Sequence, residues 1–107
     1  MATTNRILAR SKPAAATPTT LYTVPSATQA NVNLFIANQS SSDDAIRVAV
    51  TPSGSSLAAT DYIFYGKELT GNNTINVTGI ALNTGDFMTI YSTTGNTSFV
   101  ATGITII

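Results

Sequence analysis

Gln29-Ala-Asn-Val-Asn-Leu-Phe-Ile-Ala-Asn38 decides the fold. Ala30, Val32, Leu34 and Ile36 occupy every second position, with Asn31, Asn33 and Phe35 between them. Successive side chains of a strand point to opposite faces, so this two-residue period predicts a strand with one face buried. The same rhythm returns on both sides of it. Residues 45–51 place Ile46, Val48 and Val50 inward and Arg47 outward, and in residues 74–80 Ile75 and Val77 share a face. Shorter apolar runs lie at 21–24, 62–65, 87–91 and 98–107, and Ile7-Leu8-Ala9 is either an edge strand or a docking arm.

Between these runs stand turn residues. They are Pro25, the polar stretch 39–44, Pro52-Ser-Gly-Ser-Ser56, Thr70-Gly-Asn-Asn73, Asn83-Thr-Gly-Asp86 and Thr94-Gly-Asn96. We read 70–73 as a hairpin-like turn and 57–61 as loop or a short helical turn. No window shows helical periodicity with good helix formers. Short strands at this spacing predict an all-β fold: a single antiparallel β-sandwich of about seven or eight strands, or a small barrel. Residues 1–20 read as an extended N-terminal arm and a Pro/Ala/Thr linker, because Pro13 and Pro18 deny ladder donors and favour extended chain. Residues 21–107 read as the sandwich domain.

The chain has 107 residues, enough for one domain with a modest core. Only 9% of its residues are charged, against about 25% in ordinary soluble domains. Net charge is zero, which removes colloidal repulsion. Either the surface is a neutral Thr/Ser/Asn coat, or much of it is covered by neighbours. Free nucleic-acid binding, which needs a basic field, is not expected. The charges are nonetheless segregated: Arg6, Arg10 and Lys12 precede the first acid, Asp43. This basic segment is a candidate to dock on an acidic partner. The apolar end, Ile104 to Ile107, predicts a paired or buried terminus, and Ile106 and Ile107 join Arg6, Arg10 and Lys12 as candidate partner-binding residues. No apolar run reaches the roughly 18 residues of a membrane span, and none resembles a secretory leader, so no membrane association is expected. Four Asn-x-Ser/Thr sequons, at Asn38, Asn72, Asn76 and Asn96, are expected by chance in so Asn- and Thr-rich a chain.

Chemistry-bearing residues are few. The sequence has no His and no Cys, so a nucleophilic triad lacks its usual base and a zinc site its usual ligands. Asp43 and Asp44 read as a solvated turn, and Asp61 with Glu68 as the other carboxylate pair. We therefore expect no catalytic residues, no metal site and no cofactor. Tyr22, Tyr62, Tyr65 and Tyr91 either pack the sandwich or form a sugar-stacking platform, though such platforms usually include Trp, which is absent.

Read in order, these segments resemble a known family. Arg6-Ile-Leu-Ala-Arg10, the linker, and Leu21-Tyr-Thr-Val-Pro25 are similar to the opening of small virion-structural proteins of tailed phages, cyanophages in particular. The similarity continues through Asn38-Gln-Ser40, Ile46-Arg-Val-Ala-Val50 and Leu57-Ala-Ala-Thr-Asp-Tyr-Ile-Phe-Tyr65. It ends with Asn73-Thr-Ile75, Gly79-Ile-Ala-Leu82, Thr84-Gly-Asp86 and Ile90-Tyr-Ser92. The chain departs from it at Gly66-Lys67-Glu68, where an acidic residue is expected directly after the Tyr. The resemblance implies a non-enzymatic virion component: a head decoration (cement) protein or another accessory particle protein. The alternative is a neck, tail, baseplate or fibre protein, including a receptor- or glycan-binding module. Expected partners are capsid or tail subunits and further copies of the chain.

Overall fold

The computed structural model describes residues 2–107. Eight strands form: β1 (Thr3–Ser11), β2 (Thr19–Thr23), β3 (Gln29–Asn38), β4 (Asp44–Thr51), β5 (Tyr62–Leu69), β6 (Thr74–Leu82), β7 (Phe87–Ser92) and β8 (Thr97–Ile106). A single 3-10 turn, Ala59–Asp61, is the only helical element among the described residues. The Asp61 carboxylate fixes it by accepting the Ala58 N–H at 2.9 Å and the Thr51 hydroxyl at 3.0 Å.

The strands make two four-stranded antiparallel sheets, sheet A in the order β1-β8-β3-β6 and sheet B in the order β2-β7-β4-β5. The predicted β-sandwich is thus present, with a jelly-roll topology. The chain is one long hairpin, centred on the 52–61 loop, whose nested pairs β4·β5, β3·β6, β2·β7 and β1·β8 have rolled up into alternate sheets. Six of the seven connections therefore cross between sheets. The 70–73 turn is one of them: it links β5 in sheet B to β6 in sheet A, and does not close the hairpin read from its sequence.

Each nested pair contains a sheet edge, and each carries a register shift. The shifts fall between Ile7 and Ala9 on β1, between Thr20 and Tyr22 on β2, opposite Asn33 on β6 and twice along β4·β5. The two ladders created by rolling, β3·β8 and β4·β7, have none. Bulges add twist and bend a strand, which lets a flat hairpin wrap on itself.

The core is the one the alternation implies. Val32, Leu34, Ile36, Ile46, Val48, Met88, Ile90 and Phe99 are all 0% exposed. Val50, Ile75 and Val77 are half-buried against them. Of the stretch read as an arm, Met1 lies outside the described residues, and Thr3–Ser11 takes the edge-strand alternative: it borders sheet A, running antiparallel to β8 from Thr3↔Ile106 to Ser11↔Phe99. The linker is anchored as well: Pro13 is buried and Ala16 N–H donates to the Ser92 carbonyl at 2.8 Å. The accessible surface, 5609 Å², matches the roughly 5,700 Å² of a compact monomer of this mass.

Candidate functional site

Alternation sorts the outward residues of sheet A. Asn31, Asn33 and Phe35 of β3 stand opposite Ile104, Thr102 and Val100 of β8. Ile7 and Arg10 of β1 extend the rows on one side and Asn76 and Ala81 of β6 on the other. The face is therefore a field of Thr, Asn and Ser set with Ile7, Phe35, Val100, Ile104 and Ile106. Ile7 is 66% and Phe35 46% exposed. Arg10 is its one charged strand residue. Two shallow hollows mark it, about 390 Å³ beside Phe35 and Val100 and about 460 Å³ beside Ile7 and Thr102.

The outer face of sheet B is built differently. Arg47 of β4 lies between Tyr65 of β5 and Tyr91 of β7, its guanidinium carbon 4.4 Å from each ring centroid. A cation over an aromatic face is held by the ring quadrupole. Tyr62 meets Tyr65 edge to face, centroids 4.9 Å apart. Farther along, the 52–61 loop folds over the sheet: the 3-10 turn packs on β4, and the outward Ala49 is fully buried. A hollow of about 510 Å³ remains between Leu57, Ala58, Ala59, Tyr62 and Tyr65.

The candidate docking residues lie along one edge. Arg6 stands opposite Gly103 and Arg10 opposite Val100. The bulge between them reverses the alternation, so the two arginines, an even number apart in sequence, occupy opposite faces. Arg6 turns inward and donates from Nη2 to Thr105 Oγ1 at 3.4 Å. It also lies near Tyr22, whose phenol is raised by burial and partly lowered again by the arginine charge. Lys12 is exposed just past β1. The C-terminal residues are paired, with Ile107 N–H donating to the Ala2 carbonyl at 2.9 Å and Ala2 N–H returning to Ile107 at 3.1 Å.

The carboxylates separate. Asp61 holds the 3-10 turn and Glu68 is exposed on β5. Asp43 accepts the Gly71 N–H at 3.1 Å, and its neighbour Asp44 departs from the solvated-turn reading, being only 3% exposed. Asp44 Oδ2 accepts the hydroxyls of Ser92 and Thr97, and Oδ1 accepts the Thr94 N–H at 3.1 Å. Burial opposes its charge, but the Ser92, Thr97 and Thr94 donors outweigh burial and hold the carboxyl below its ordinary range. This group ties β4 to β7 and β8, a structural role that Ser92 and Thr97 gave no sign of in sequence. Among the described residues no three His, Cys, Asp or Glu side chains cluster as metal ligands, and no helix is long and apolar enough to cross a membrane.

Comparison with family models, with characterised proteins and with solved structures finds no match to this chain.

Proposed function

We propose that the chain is a non-catalytic structural component of a tailed-phage virion, a head decoration protein that assembles with capsid subunits and with copies of itself. The observation that carries the reading is the outer face of sheet A. Five large apolar side chains and one charge on a four-stranded face are the composition of a surface that other protein covers. The ordered sequence resemblance supplies the setting. The jelly roll is compatible, since viral capsid and lectin domains both use it, but a fold alone assigns no function. Arg10 and Lys12, near the end of β1, offer positive charge to an acidic particle surface, and Arg6 adds to it from the opposite face of the same edge. The experiment compares purified particles of the encoding phage with particles from a deletion of this gene. The chain should be present in the former in a fixed number of copies. Its absence from purified particles would overturn the reading.

The hollow beside Tyr62 and Tyr65 favours a second reading, a receptor- or glycan-binding module. Its volume, about 510 Å³, suits a small ligand, and Tyr65 is 67% exposed. A glycan array probed with the wild type and with Tyr65→Ala tests it. Tyr65-dependent binding supports it, and an array without signal removes it.

A further inference from the structure

We propose that the outer face of sheet A packs against the same face of a second copy of this chain, as a two-fold dimer. The inference deepens the assembly reading and rests on its claim that this face is hidden by neighbours.

The four edges are poor partners. A bulge interrupts the pairing of each edge strand, and Lys67 and Gly66 further blunt β5. Such devices discourage strand addition from another chain. The outer face of sheet B is stepped by the 52–61 loop and carries Arg47 and Glu68. The outer face of sheet A has neither obstacle. It is centred on β3·β8, a ladder of ten residue pairs without a register shift. Its side chains stand in straight rows, Asn31 by Ile104, Asn33 by Thr102 and Phe35 by Val100.

Size and charge select the occupant. Four strands about 4.8 Å apart and nine residues at about 3.3 Å cover roughly 600 Å² in projection. Side-chain relief brings this toward the roughly 800 Å² per partner of a standard stable interface. A charged partner would find almost nothing here to pair with, Arg10 being the one charge. A copy of the same face brings only one like charge, Arg10, which stands on the edge strand β1 rather than on the central β3·β8 ladder, and zero net charge removes any longer-range barrier. Thr and Asn rows can exchange hydrogen bonds across a two-fold axis while Phe35, Val100 and Ile104 are removed from water.

Sedimentation of the full chain tests this. The wild type should be a dimer at micromolar concentration. Phe35→Lys and Val100→Lys, outward on sheet A, should each weaken association at least 100-fold while circular dichroism and melting temperature hold. Tyr65→Lys, on sheet B, should leave association unchanged. A wild type that stays monomeric at high concentration overturns the inference, as does a dimer that survives both lysines or that Tyr65→Lys disrupts. A monomer that nonetheless binds particles leaves the virion reading standing, and a face-dependent dimer that never binds particles removes that reading alone.

Discussion

The carboxylate of Asp44 lies 2.5 Å from the hydroxyl of Ser92, inside the end of the sandwich where β4, β7 and β8 converge. Thr97 donates to the same oxygen. A charged group in this position is tolerated because its donors replace the water it has lost.

Acid should therefore weaken the fold through Asp44. Its folded pKa is depressed, so its contribution is complete above the unfolded value, about 3.9, and is lost as pH falls through the folded value. Thermal midpoints measured from pH 7 to pH 2 should drop below about pH 4. In Asp44→Asn that acid limb should be shallower. An unchanged limb would assign acid sensitivity to other carboxylates.

Asp44→Ala strands two buried hydroxyls. A loss of about 3 kcal/mol is expected in urea unfolding, the cost of unsatisfied buried polar groups. A change under about 1 kcal/mol would mean the site rehydrates.

Gly103 of β8 has no room for a side chain, since an added Cβ would lie 2.0 Å from the Asn31 carbonyl oxygen. Gly103→Ala should force β3 and β8 apart at the middle of sheet A. We expect a loss of about 1–3 kcal/mol, the usual cost of overpacking, read as a lower thermal midpoint.

Phe99 and Val100 are neighbours on opposite faces. Phe99→Ala removes a fully buried ring and should cost about 3–5 kcal/mol. Val100→Ala, on the outer face, should change stability within about 0.5 kcal/mol in the monomer. Equal effects on both would contradict the assignment of faces.

Deleting residues 1–12 should do more than remove a tail. Leu8 and Ala9 pack against the core, and β1 covers the edge of β8. The truncated chain should melt lower and aggregate through the bared, unbulged β8 edge. An unchanged midpoint would mean that β1 contributes nothing to the fold.

These positions also show what was legible in the sequence. Ala30 to Ile36 and Ile46 to Val48 declared their buried faces because a period of two leaves no other sorting. Asp44 did not, because burial of a carboxylate depends on Ser92 and Thr97, about 50 residues away and ordinary in sequence. The bulge at Ile7–Ala9 was equally silent, and it alone decides that Arg6 and Arg10 face opposite ways. The turn at 70–73 has hairpin composition, yet it spans the sheets because β5 and β6 already have partners in different layers. Local chemistry specifies that the chain turns; the rolled pairing specifies where it goes.

We propose that this chain belongs to a phage particle. The direct measurement adds purified wild-type protein to particles of the encoding phage that lack it, and counts the copies retained after a salt wash. Saturable, uniform occupancy is expected, reduced by Arg6→Glu, Arg10→Glu and Lys12→Glu together. Retention no greater than that of an unrelated protein of equal size would contradict the account.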